Sequence, residues 1–210
     1  MSFKKINSLK NFYEELDSLC EGIYKFCRLC KDEDCKGYIW LLPEEAKELI
    51  EEGVPIVEIN RKLCFLDSFI REQGKIDTEK VKPVCPFREE DKMCLIYSLR
   101  PLACRLYPLD FKISEGEIYI ILHVDCLFVR TLLQTRDFSQ FLEKVFNLFH
   151  NCDRSLLRRI LRHYQAVNSI LKYPKDYNYE DCIELFKVVD LKKGKLILCQ
   201  NVKQFLTQRK

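Results

Sequence analysis

The stretch CPFREEDKMCLIYSLRPLACRLYP, from Cys85 to Pro108, constrains this chain more than any other. It places Cys85, Cys94 and Cys104 at C-x8-C-x9-C spacing, with Arg100 and Arg105 beside them. Pro86, Pro101 and Pro108 interrupt it. Proline lacks a backbone donor and clashes with the preceding helical turn, so no single helix runs through the segment. Rigid loops that hold several thiols at fixed positions suit a metal centre. The guanidiniums either offset the negative charge of grouped thiolates and grip an anionic ligand, or simply pair with carboxylates such as Glu89, Glu90 or Asp91.

A second cluster lies upstream. Cys27, Cys30 and Cys35 follow C-x2-C-x4-C spacing in CRLCKDEDCK. A C-x2-C pair on a turn points both sulfurs at one centre, the usual beginning of zinc and iron–sulfur sites. Charged residues surround these three, whereas a core cysteine sits among apolar neighbours. The polar KDED segment after the pair is unlike a thioredoxin motif. Cys126, in HVDC, adds another candidate ligand, and its neighbours His123 and Asp125 could also ligate, although His123 alone reads first as a structural or surface histidine. Cys64, in LCFL, reads as core; Cys20, Cys152, Cys182 and Cys199 read as structural. The candidate thiols exceed the four ligands of one zinc or one cubane cluster. Surplus structural thiols, a second metal, or a redox or substrate-handling pair beside the cluster would each account for that.

Composition narrows the setting. The N-terminus lacks an apolar leader with a small-residue cleavage site, and charges interrupt every apolar run short of membrane-spanning length. The expectation is a cytoplasmic protein with no membrane association. In a reducing compartment, twelve cysteines point to metal binding or catalysis before disulfides. Richness in Lys, Glu and Ile leaves open the disulfide-bearing cytosol of a heat-adapted source. A net charge of +3 is too mild to imply nucleic acid. Arg154, Arg158, Arg159 and Arg162 gather on one side of an expected helix and read first as a solvated face. The six glycines include no spacing that builds a phosphate-cradling loop. His123, His150 and His163 are scattered, with no nucleophile motif beside them.

Periodicity predicts an α+β chain. Ser8 caps a helix over residues 8–26, a polar loop covers 27–36, and a short strand runs from Tyr38 to Leu41. Pro43 opens a helix that Gly53 closes. Residues 55–66 hold two short strands around Asn60-Arg61, and 67–84 is a loop. A hairpin over 107–122 turns at Ser114-Glu115-Gly116. The pattern is helical after it, up to a link at 173–179 and a last hairpin turning at Lys192-Lys193-Gly194. Two parts result: a cysteine-cluster metal-binding domain over 1–126, and a helical lobe with a terminal hairpin over 127–210, which could also pack as one unit.

Three features together resemble a known family. CRLCKDEDCKGYIWLLPEEAKEL is similar to a cysteine cluster followed by a strand and a Leu-x-x-Glu-Glu helix. CPFREEDKMCLIYSLRPLACRLYPL is similar to C-P-F…C-x-I-Y-x-x-R-P-x-x-C-R-x-Y-P. Cys126 stands where one more cysteine is common. These are marks of the YkgJ-like, or CxxCxxCC, family of zinc- or iron-chelating domains, and the resemblance covers about half the chain. The family's adjacent Cys-Cys doublet is absent: one partner aligns near Asp34, and Cys35 takes the other place after a one-residue insertion.

The resemblance implies metal chelation. The flagellin lysine-N-methylases, which carry a similar cluster, an iron–sulfur centre and S-adenosylmethionine, extend the implication to protein methyl transfer. The favoured expectation is an iron–sulfur protein of [4Fe–4S] type, with redox or methyl-transfer chemistry at the cluster and Arg100 and Arg105 holding an anionic cofactor group. Its ligands would come from Cys27, Cys30, Cys35, Cys85, Cys94, Cys104 and Cys126. The alternative is a zinc-stabilised module that binds a protein or nucleic acid without catalysis. The protein or small-molecule partner is not specified by the sequence.

Overall fold

The computed structural model describes residues 5–29, 39–72, 74–82, 84–168, 182–190 and 195–196. Among them the chain is mixed α+β, with helices and three small antiparallel sheets. No described helix is long and apolar enough to cross a membrane. Two compact units form: Gly22–Arg105, and Met1–Glu21 joined with Leu106–Lys210. Cys126 therefore belongs to the unit that carries the later helices.

Helix α1 (Leu9–Leu19) begins where expected, with the Ser8 hydroxyl accepting from the Asn11 N–H at 3.2 Å. It buries Phe12 and Leu16. The single helix expected over 8–26 is in fact two. Gly22 adopts φ +78°, a left-handed conformation that glycine takes at little cost, and α2 (Ile23–Leu29) starts afresh beyond it. Helix α2 also runs through Cys27, which is helical and not in a loop. Cys30 and Cys35, and the expected strand start at Tyr38, lie outside the described residues.

In the Gly22–Arg105 unit, β1 (Trp40–Leu41) leads into α3 (Pro43–Glu51), with Pro43 first and Glu44 and Glu45 in its opening turn. Gly53 closes it at φ +80°, and the Val54 N–H donates to the Leu49 carbonyl at 2.8 Å. Strands β2 (Ile56–Ile59) and β3 (Lys62–Phe65) form the expected hairpin. Asn60 and Arg61 both take positive φ at its turn, which matches the right-handed twist of the strands. Leu41, Ala46, Leu49, Val54 and Phe65 make a core, with Phe87, Ile96 and Leu99 from the second cysteine segment packed against it. Cys64 is buried as expected. Residues 67–84, expected as loop, instead hold β4 (Phe69–Glu72) and β5 (Lys75–Val81), an antiparallel hairpin turning at Gly74. Its strands carry charge on both faces, held by pairs such as Lys80–Glu72 at 2.6 Å, so no apolar alternation marks them. Helix α4 (Leu102–Leu106) ends the segment.

In the other unit, β6 (Leu109–Ser114) and β7 (Glu117–His123) form the second expected hairpin, turning at Glu115 and Gly116, both at positive φ. Helices α5 (Leu127–Leu133), α6 (Asp137–Asn151) and α7 (Arg154–Asn168) follow. Strand β8 (Cys182–Asp190) then pairs with β7, and β9 (Lys195–Leu196) with β8, giving the order β6-β7-β8-β9. The last hairpin thus extends the earlier one into a single sheet. Phe111, Phe149 and Tyr164 fill the core beneath it, and the Tyr164 hydroxyl donates to the Phe111 carbonyl. The link at 173–179, the turn at 192–194 and Cys199 lie outside the described residues.

Candidate metal centre

Cys85 and Cys94 begin two turns of the same design. The Arg88 N–H donates to the Cys85 carbonyl at 3.1 Å, and the Tyr97 N–H to the Cys94 carbonyl at 3.2 Å. Each sulfur also accepts from the amide two residues on, Cys85 from Phe87 and Cys94 from Ile96. Pro86 suits the second position of the first turn, where φ must already be about −60°. A short hairpin joins the turns. The Leu95 N–H donates to the Phe87 carbonyl and the Glu89 N–H to the Met93 carbonyl, each at 2.9 Å. At its tip, the Asp91 carboxylate accepts from the Met93 N–H at 3.0 Å. Phe87 and Ile96, whose amides face the sulfurs, send their side chains to the core. Burial of those two residues therefore fixes the two thiols.

Electrostatics define what this pair can hold. Burial pushes the Cys85 thiol up, and the charge on Cys94 pushes it further, against the Phe87 N–H and Arg88. Burial likewise raises Cys94, against the Ile96 N–H and Arg100. Both shifts favour the neutral thiol over the thiolate. A bound metal ion would reverse that balance and deprotonate them outright.

Helix α2 is tied to this hairpin at two points. The Tyr24 ring meets Tyr97 edge-on at 6.2 Å, and Arg28 pairs with Asp91 at 3.1 Å. Tyr24 and Arg28 bracket Cys27 on the helix, and Asp91 and Tyr97 bracket Cys94 on the hairpin. The end of α2, which leads into the first cluster, is thus docked on the second. Tyr97 also carries the Arg100 guanidinium on its face at 3.7 Å.

Cys104 sits in α4, half-buried. Two neighbours lock that helix. Glu45, a buried carboxylate, accepts from the Leu42 N–H at 2.7 Å and from the Leu102 N–H at 2.5 Å, so one side chain caps α3 and starts α4. Arg105 donates from Nε to the Arg100 carbonyl and from its terminal nitrogen to the Ser98 carbonyl, both at 2.6 Å. Arg100 donates to the Tyr97 carbonyl at 3.1 Å. These bonds of the two arginines brace the loop between Cys94 and Cys104. Cys126 is buried at the start of α5.

Of the expected ligands, Cys85 and Cys94 begin the two turns of one hairpin, and α2, which contains Cys27, touches that hairpin through Tyr24 and Arg28, with Cys27 itself exposed. Among the described residues, no three His, Cys, Asp or Glu side chains are grouped as a complete metal site. Sequence spacing does not mark Tyr24, Tyr97 or Glu45 as parts of the site. Only Glu45 left a trace, the pattern of a capping glutamate three residues after Leu42. No family model matches the chain, and no curated protein or solved structure matches it.

Proposed function

We propose that this chain is a cysteine-ligated metalloprotein, with an iron–sulfur cluster of [4Fe–4S] type as the favoured occupant. The observation that carries the reading is the repeated turn, in which a half-buried sulfur accepts an amide two residues on at both Cys85 and Cys94. Amides aimed at sulfur stabilise thiolate and are among the factors that set the potential of a cluster. Cys85 and Cys94 would hold the group, with further ligands from Cys27, Cys30, Cys35 and Cys104. Such a cluster would supply electron transfer, or redox support for methyl transfer with S-adenosylmethionine. The chain's own residues would position it: Glu45 and Arg105 hold α4, and Arg100, stacked on Tyr97, keeps a cation beside the sulfurs. The resemblance to YkgJ-like proteins supports the same reading. Zinc is the second reading, because amide-to-sulfur turns serve a tetrahedral thiolate site equally well, and the protein would then be a binding module.

Anaerobic purification with metal and sulfide analysis tests both. Iron, acid-labile sulfide and a broad visible absorption support the cluster; stoichiometric zinc without colour supports the module. Cys85→Ser and Cys94→Ser should each lose the metal, and Cys182→Ser should keep it. Equal retention in all three variants overturns the site.

A further inference from the structure

The unit that carries the four-stranded sheet contains a thiol–imidazole pair that the proposed metal centre does not use. His123 ends β7 and Cys182 begins β8, and the two stand directly opposite in the antiparallel register. Cross-strand partners share a face of the sheet, and here Cys182 Sγ lies 3.3 Å from His123 Nδ1. The sequence offered no sign of this pair, since its members are 59 residues apart.

Three further features suit the pair to chemistry. First, the imidazole is held in place. Its side chain is only 9% exposed, its ring packs on Tyr107 at 5.5 Å, and its backbone N–H donates to the Pro108 carbonyl at 2.9 Å. Second, Asp125 Oδ1 stands 3.9 Å from the same Nδ1. That oxygen is buried without a hydrogen-bond partner, a costly arrangement unless a donor arrives. A proton received at Nδ1 from the thiol would place an opposing charge beside that oxygen. Third, Cys182 is half-buried, so a small reagent can reach it. Cys64 and Cys152 are different: both are deeply buried, and burial pushes their thiols up to about 11 and about 12. A nucleophile within hydrogen-bond reach of a base, with a carboxylate beside the base, is the arrangement that activates thiols.

We propose that Cys182 is a nucleophilic thiol, with His123 as its base, that undergoes exchange with small disulfides. His123 Nδ1 takes the thiol proton and Cys182 Sγ attacks one sulfur of the disulfide. The S–S bond of the reagent breaks, its second half leaves as a thiolate that takes back the proton held on the His123 imidazolium, directly or through water, and a mixed disulfide remains on Cys182. The disulfide is the only co-reactant. This inference uses none of the cysteines proposed as metal ligands.

The test treats the full chain with oxidised glutathione at pH 7, followed by an acid quench and mass mapping of each cysteine peptide. Cys182 should form the mixed disulfide at least about tenfold faster than in His123→Gln, the order expected for loss of a positioned base. Asp125→Asn should slow it by a smaller factor. Thermal unfolding of each variant shows whether it is folded, and if His123→Gln is not, Asp125→Asn decides. Rates at Cys182 that are unchanged in the folded variants overturn the proposal. So does modification of Cys182 no faster than of the buried Cys152.

Discussion

Glu45→Gln is the sharpest probe of how the candidate centre is built. The Glu45 carboxylate is 5% exposed and accepts two backbone amides, Leu42 N–H at the start of α3 and Leu102 N–H at the start of α4. A hydrogen bond to a charged group contributes about 1.5–3 kcal/mol, and a buried donor left unsatisfied costs about 1–3 kcal/mol. Glutamine keeps one carbonyl oxygen for one amide, but turns an NH2 group toward the other. One charged bond becomes neutral, the second is lost, and a donor is stranded. The cost should be about 2–4 kcal/mol. Trp40, the only tryptophan, sits in β1 two residues before Leu42, so its fluorescence follows this unit in a urea titration. With a slope of about 1–3 kcal/mol per molar urea, the midpoint should fall by about 1–2 M. On the proposed metal reading, metal retention should fall with it, because Leu102 opens the helix that carries Cys104. A Gln variant that unfolds within about 0.3 M of the parent, at an unchanged slope, would refute the claim that Glu45 ties α4 to α3.

Other outcomes follow from the same geometry. Tyr97→Ala removes both the Tyr24 contact and the platform under Arg100, and should cost about 1–3 kcal/mol in the same titration. Arg28→Ala breaks an exposed ion pair and should cost no more than about 0.5 kcal/mol; the reverse order would discredit Tyr97 as the anchor of α2. Asp153 caps α7, and hydrogen bonds from the Ser155 hydroxyl and N–H, with the Leu156 N–H and Lys5, pull its carboxyl down from 3.8 to about 2. The folded value lies below the unfolded one, so this contribution is complete above about pH 4. It is lost as the pH falls through about 2. Asp153→Ala should lower the thermal midpoint at pH 5 and flatten its fall between pH 4 and pH 2, and parallel acid limbs in the two proteins would disprove the cap.

Much of the secondary structure was legible because the signals were local. Ser8, Pro43 and Gly53 act on amides and carbonyls within one turn, and Asn60-Arg61 and Glu115-Gly116 sit between short strands rich in apolar residues. The break at Gly22 was missed because apolar spacing runs straight across it, and one glycine's φ is not written in periodicity. The β4–β5 hairpin escaped because Lys80 and Glu72 pair across strands with charge on both faces. Cysteine spacing pointed to Cys85 and Cys94, and the turns around them depend on contacts two and three residues apart.

The sequence by itself determined those pieces: helix caps and tight turns. Short-range hydrogen bonds close wherever the intervening residues permit the dihedral angles, and nearby residue types settle that. Only the tertiary structure decided that Arg28 meets Asp91, that Glu45 reaches Leu102, and that Cys182 faces His123, at separations of 63, 57 and 59 residues. Such partners are chosen by strand register and by which apolar faces pack, and those depend on the whole chain at once.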